Sequence, residues 1–197
     1  YEIASSLVGS EMCIRDRLPS PEWKMNTHNF GWYKGDTVNL GVGQGYINAT
    51  PLQLAYYSAF LATKGRLNNF SFVQDSKDHK KDTFISENIN LNDWAKIHES
   101  MVGVIENPKG TAGRLRALKD YIVAAKSGTV ELVSTETKED YQIIREIEGQ
   151  RDHAIIIAFG PMPNPEYAVS VVIENGESGG SVSYTHLTLP TTGIVGW

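Results

Sequence analysis

Apolar residues recur at helical spacing in parts of this chain and gather into β-branched blocks in others. Leu52, Ala55, Ala59 and Ala62 follow one helical stripe. Thr50 suits the N-cap before it, Pro51 suits the first helical position, Gln53 completes a capping box, and Gly65 is a natural stop. Leu91, Trp94, Ile97, Met101 and Ile105 return every three or four residues, which predicts a helix from Leu91 to Glu106 ended by Asn107-Pro108. Tyr121 to Val133 reads as a β-type stretch. His153 to Phe159 and Tyr167 to Glu174 are apolar and β-branched, and the proline-rich run Pro161 to Pro165 joins them as a hairpin with a rigid loop.

The remaining stretches are shorter signals. Leu18 to Lys24 reads as a turn-rich opening, Asp36 to Leu40 as a short strand, and Arg114 to Leu118 as a helical piece after the loop Gly110 to Gly113. Asn68 to Asn88 is polar and loop-rich, and Lys138 to Asp152 reads as a solvated, charged insertion. Helices followed by a three-strand meander predict an α+β domain, an antiparallel sheet with helices packed on it.

Two segments do not share this patterning. Glu11 to Arg17 reads EMCIRDR, which the DNA string GAGATGTGTATAAGAGACAG plus one base encodes. The reverse complement of that string, in another frame, encodes Val182 to Leu187. The longer strings Ser6 to Arg17 and Val182 to Thr192 resemble the translated read-through of a sequencing-library adaptor. One short element on opposite strands accounts for both, so both are set aside as foreign to the fold; residues 1–5 and 193–197 lie outside the natural-looking stretch and are grouped with them as 1–17 and 182–197. Residues 18–181 remain as the domain, or the larger part of one.

Composition narrows the function classes. With 41% hydrophobic and 21% charged residues the chain can build a sizeable core. A net charge of −5 argues against nucleic acid or an anionic membrane surface as a partner. The single cysteine, Cys13, falls in the adaptor-like segment, which leaves no disulfide framework or thiolate metal site. The run of apolar residues needed to cross a membrane is absent.

The chemistry concentrates in Lys126-Ser127-Gly128-Thr129. A lysine, two hydroxyls and a glycine on one strand form a carboxylate-binding edge. Lys126 supplies charge, Ser127 and Thr129 supply short O–H donors, and Gly128 leaves room for another backbone or a ligand. Other constellations are weaker. Gly41-Val42-Gly43-Gln44-Gly45 has the wrong glycine spacing for a dinucleotide loop, and the following helix starts too late to hold a pyrophosphate. It reads as a tight turn against the sheet. Gly176-Glu177-Ser178-Gly179-Gly180 has the form of a nucleophile elbow, but no acid follows it and His186 is the sole later histidine. A Gly-Ser turn explains it better. His28, His79, His98 and His153 lack metal-ligand spacing and read as ordinary surface or core residues.

A resemblance supplies the context for the tetrad. Leu18-Pro19-Ser20-Pro21-Glu22-Trp23-Lys24, Gly35-Asp36-Thr37, Gly43-Gln44-Gly45-Tyr46 and Ala49-Thr50-Pro51-Leu52-Gln53 occur in that order. Gly110-Thr111-Ala112, the tetrad, Asp152-His153-Ala154, Phe159-Gly160-Pro161 and Glu174-Asn175-Gly176 follow. Together they resemble class B penicillin-binding proteins, nearest the elongation-type penicillin-binding protein 2 group of peptidoglycan D,D-transpeptidases. The resemblance implies the serine β-lactamase-like transpeptidase fold. It also implies acyl transfer, in which a serine attacks the D-Ala-D-Ala carbonyl of a stem peptide and a second amine resolves the acyl-enzyme. Lys126, Ser127 and Thr129 would hold the substrate or β-lactam carboxylate, and the Thr129 N–H would form half of an oxyanion hole. The strand edge would pair with the substrate backbone, and Gly128 would let the nucleophile's helix approach.

The pattern is incomplete. No serine here has a lysine three residues later, so the S-x-x-K nucleophile box is missing. Ser86-Glu87-Asn88 has S-x-N form but lies on the wrong side of the G-Q-G element, and reads as a loop. The family's C-terminal helix is replaced by adaptor-like residues. The expectation is therefore an inactive C-terminal piece of a transpeptidase, with substrate-binding residues present and catalytic residues upstream. The alternative is a non-catalytic module of the same fold that binds peptides or β-lactam-like ligands. The resemblance implies no cofactor, and it implies peptidoglycan stem peptides, β-lactams and other cell-wall elongation proteins as partners. It places the protein at the periplasmic face of the bacterial inner membrane, anchored by a helix outside this chain.

Overall fold

The computed structural model describes residues 19–67, 84–85, 89–117, 121–132, 141–143, 146–177 and 195–196. The adaptor-like segments, Cys13, His79, Ser86-Glu87-Asn88, Ser178 and His186 lie outside the described residues. The chain divides into two compact units, residues 1–53 and 54–197.

In the first unit the opening is helical. Ser20 is extended and its Oγ accepts the Trp23 N–H at 3.1 Å, so Pro21 falls at the first position of α1, Pro21–His28. Asn29, left-handed at φ 58°, ends it by donating its N–H to the Met25 carbonyl. The strand expected at Asp36 to Leu40 is instead part of α2, Lys34–Gly41. The cap overrides the short apolar alternation: the Asp36 carboxylate accepts the Tyr33 N–H at 2.7 Å and pins the first turn. The glycines beyond form the tight turn expected of them, with Gly43 and Gly45 at φ 78° and 82°. The turn closes α2, not a strand, through Gly43 N–H to Leu40 O and Gln44 N–H to Asn39 O.

Helix α3, Pro51–Ala62, opens with the predicted box. Thr50 N–H donates to Gln53 Oε1 at 2.7 Å, and Gln53 N–H donates to Thr50 Oγ1 at 3.2 Å. Gly65 closes it by donating to the Phe60 carbonyl. In the second unit, β1 (Arg66–Leu67) and β2 (Phe84–Ile85) make a short antiparallel pair. Helix α4, Leu91–Glu106, has its predicted limits and is capped by Asn90. Its buried stripe is Trp94, His98, Met101 and Ile105. Leu91, expected on that stripe, is 79% exposed, because it sits at the first position beside the cap rather than over the core. A 3-10 turn, Gly113–Ala117, follows.

Strands β3 (Ala124–Val130), β4 (His153–Gly160), β5 (Tyr167–Ile173) and the two-residue β6 (Val195–Gly196) form one antiparallel sheet in that order. β3 is shorter than the β-type stretch Tyr121 to Val133. Registers Ala124↔Phe159↔Ala168 and Ala125↔Ala158↔Val169 put neighbours of each strand on opposite faces. Ala124, Phe159 and Ala168 pack with Ala59, Leu61, Ala62, Trp94 and Met101. Ala125, Ile156, Ala158 and Val171 pack with Ile105, Ala112 and Leu115. Both faces of this end of the sheet are thus covered by helical segments. Ser58 adds a polar tie that the apolar stripe did not predict, donating its hydroxyl to the Ala158 carbonyl at 2.8 Å from a fully buried site.

Candidate functional site

The tetrad occupies the middle of β3, opposite Ile157, Ile156, Ile155 and Ala154 of β4. β3 is the edge strand, and no other strand pairs with its outer side among the described residues. Ala124 and Ala125, at its start, are fully buried, whereas Lys126, Gly128 and Thr129 are exposed and Ser127 is half-buried. One strand therefore passes from core to solvent within a few residues.

Alternation places Ser127 and Thr129 on one face and Lys126 and Gly128 on the other. The four do not share a face; they share an edge, which a ligand lying along the strand can reach from both sides. The Lys126 ammonium donates to the Ser127 carbonyl of its own strand, and no carboxylate lies within ion-pair reach of it among the described residues. A β-carbon added at Gly128 would meet Ile155 Cβ at 3.8 Å, an ordinary contact, so the neighbours present do not demand glycine there.

Ser127 has a partner that the sequence reading did not give it. Its Oγ lies 3.1 Å from Thr111 Oγ1, and the two hydroxyls share a hydrogen bond. The loop that carries Thr111 is held from both sides. A β-carbon at Gly110 would fall 2.2 Å from the Val104 carbonyl oxygen, so only glycine fits. The Ala112 N–H donates to that same carbonyl at 3.0 Å. Arg116 reaches back from the 3-10 turn and donates to the Ile105 carbonyl at 2.8 Å, satisfying an end group of α4. A glycine on each side of Thr111-Ala112, just after a helix stop, was the available signal.

Two further motifs of the sequence reading meet at the far end of the sheet. Asp152, expected in a solvated insertion, is buried. Its carboxylate accepts Tyr141 O–H at 2.9 Å and Leu132 N–H at 3.3 Å, and its carbonyl accepts Glu177 N–H at 2.8 Å. The carboxylate satisfies donors from two segments and the backbone carbonyl a donor from a third, so that part of the insertion folds in. His153 accepts the Asn175 N–H on Nδ1 at 3.0 Å, which leaves its proton on Nε2. His98 is a core residue, with Nε2 donating to the Leu61 carbonyl at 2.8 Å and its ring 5.2 Å from that of Phe159. Glu177 pairs with Arg151 at 3.7 Å.

The first unit holds a different lysine site. Lys24 is 2% exposed and its ammonium lies 2.6 Å from Asp36 Oδ2. It also lies 4.6 Å from the Tyr33 ring centre and 5.1 Å from that of Tyr46. The hydrogen bond to Lys24, then that from Tyr33 N–H, holds the Asp36 carboxyl below the usual carboxylate range. The same bond raises Lys24 against the opposing effect of burial. Beside the pair, Trp32, Asp36, Asn39 and Tyr46 contribute to a cavity of about 210 Å³.

This sequence matches the penicillin binding protein transpeptidase domain over residues 15–187. The chain belongs to that family. It is 33% identical over 172 residues to the peptidoglycan D,D-transpeptidase MrdA of Escherichia coli K12, covering 84% of this chain and 27% of that protein. It is 36% identical over 172 residues to MrdA of Acinetobacter baumannii, covering 84% of this chain and 25% of that one. The chain thus spans about a quarter of the length of the curated relatives it matches. Among solved structures it resembles Pseudomonas aeruginosa PBP2 in complex with WCK 5153, at 33% identity and a TM-score of 0.65, covering 86% of this chain and 34% of that one. It also resembles Helicobacter pylori PBP2 in its complex with MreC, at 28% identity and a TM-score of 0.64, covering 84% and 28%. The α+β penicillin-binding-protein fold inferred from the motifs is the fold observed, in part of its full extent.

Proposed function

We propose that this chain is the C-terminal part of a peptidoglycan D,D-transpeptidase domain and forms the carboxylate-binding wall of its cleft. The observation that carries the reading is the edge position of Lys126, Ser127, Gly128 and Thr129 on a strand whose other half is core. Among the described residues no carboxylate competes for the Lys126 ammonium, and Ser127 and Thr129 carry hydroxyls on the opposite face. A stem-peptide terminus or a β-lactam laid along the edge has a carboxylate that both can meet. Its backbone would add to the sheet as a further strand, with the Thr129 N–H turned to the developing oxyanion. The edge orients and stabilises charge; the nucleophile and its base belong to residues outside this chain. Stem peptides, β-lactams and elongation-complex proteins are the partners of this reading, which places the protein at the periplasmic face of the inner membrane. No helix among the described residues is long and apolar enough to cross a membrane.

The proposed domain limits are residues 18–181, with Ser6 to Arg17 and Val182 to Thr192 foreign to the organism. Amplifying the locus from the source sample tests this, and both segments in frame in genomic DNA would refute it. The activity is tested with a fluorescent penicillin. This chain alone forms no covalent adduct, because acylation needs an activated serine. The protein extended by its native upstream region labels covalently. If the extended protein binds penicillin reversibly without acylation, the alternative of a binding module holds instead.

A further inference from the structure

We infer that Thr111 is a positioning residue of the candidate site, acting through Ser127. The inference rests on the reading of the tetrad as a carboxylate-binding edge. For Ser127 to hold a carboxylate, its single hydroxyl proton must go to the ligand, because a carboxylate only accepts. The Ser127 oxygen is then left to accept, and the donor at 3.1 Å is the Thr111 hydroxyl. The chain Thr111 O–H to Ser127 O–H to carboxylate points one way. Each bond in such a chain polarises the next, and the Thr111 bond selects the Ser127 rotamer that faces the ligand.

The placement of Thr111 is fixed by its two neighbours, not by its own side chain. Gly110 sits where a β-carbon would strike the Val104 carbonyl. Ala112 donates its N–H to that carbonyl and is fully buried among Ile105, Leu115, Ala125 and Ile156. Thr111 lies between these anchors and is itself exposed, so its hydroxyl is held at Ser127 without being needed by the core. Ala125 and Ser127 share a strand face, and Ala112 packs in the cluster of the first while Thr111 meets the second, so the loop runs against the direction of β3.

The test is a double-mutant cycle on the protein extended by its native upstream region, reading second-order acylation rates and thermal midpoints on the same preparations. Thr111→Val should slow acylation by about three- to tenfold, the range of one neutral hydrogen bond, with little change in midpoint. Thr111→Ser, which keeps the hydroxyl, should stay within about twofold of wild type. In the Ser127→Ala background, Thr111→Val should have no further effect. If valine is not accommodated, Thr111→Ala against Thr111→Ser carries the same comparison, since they differ by the one hydroxyl. A slow Ser127→Ala with a Thr111→Val as fast as wild type would overturn this inference alone. So would additive losses, because Thr111 would then act independently of Ser127. A Ser127→Ala as fast as wild type, or an extended wild type that neither acylates nor binds penicillin, would overturn the carboxylate-edge reading and this inference with it.

Discussion

Lys24 and Lys126 carry the same ammonium on the same flexible stem, and the fold uses them in opposite ways. Lys24 is buried, ion-paired with Asp36 and flanked by the rings of Tyr33 and Tyr46. Its charge is fully engaged by the protein. Lys126 stands exposed on an edge strand, with the Ser127 carbonyl of its own strand as the partner of its ammonium. A charge that has given up its water for a carboxylate has nothing left for a ligand. A hydrated one beside unpaired strand edge can exchange water for a ligand carboxylate. Burial and partner, not residue type, separate a structural lysine from a candidate binding one.

The comparison breaks if Lys126 is dispensable for acylation. In the protein extended by its upstream region, Lys126→Ala should slow acylation by a penicillin about ten- to a hundredfold or somewhat more, the value of a charge-assisted hydrogen bond of roughly 1.5–3 kcal/mol. Lys126→Arg should lie between, since it keeps charge but not the compact ammonium. Equal rates for wild type and Lys126→Ala would remove the tetrad from the site.

Next in size is Gly110→Ala, which drives a β-carbon onto backbone rather than onto a side chain that can swing away. It should cost about 1–3 kcal/mol of stability and disturb the Ser127 contact as well. A variant with an unchanged thermal midpoint would show that the loop has room to shift.

Lys24→Met should act on stability, lowering the thermal midpoint by several degrees, because it strands the Asp36 carboxylate. Replacing both partners, Lys24→Met with Asp36→Leu, should recover part of the loss. Acid sharpens the same point. Asp36 has its carboxyl depressed in the fold, so its stabilisation is present above the ordinary carboxylate range and disappears as pH falls through the depressed value. Lys24 is raised, so its share is present at neutral pH and is lost only as strong alkali takes the ammonium through its raised value. The Lys24→Met variant should therefore show a flatter fall of midpoint with acid than wild type; parallel curves would mean that the pair does not couple to folding. The smallest effect is that of Lys126→Ala on stability, expected within about 0.5 kcal/mol of wild type. A larger loss would make Lys126 a structural lysine after all.

Much of this was written locally in the chain. The box Thr50-Pro51-Gln53, the stripe from Trp94 to Ile105 and the β-branched runs around Ile156 and Val171 fix their elements through neighbours a few residues away. The tetrad was legible for the same reason, since its chemistry lies within four consecutive residues. Local reading failed where a cap competed with a weak pattern. Ser20 made a helix of the turn-rich opening, and Asp36 made a helix of the expected strand. It could not see pairs joined over long separations. Nothing near Lys24 announces that Asp36 will bury it, nothing near Asp152 announces Tyr141 and Leu132, and nothing near Thr111 announces Ser127. Sequence alone determined the secondary structure with strong periodicity or caps, the family and the candidate tetrad. Only the tertiary structure decided which charged and hydroxyl groups are buried and which partners they meet, because burial and partner are properties of packing.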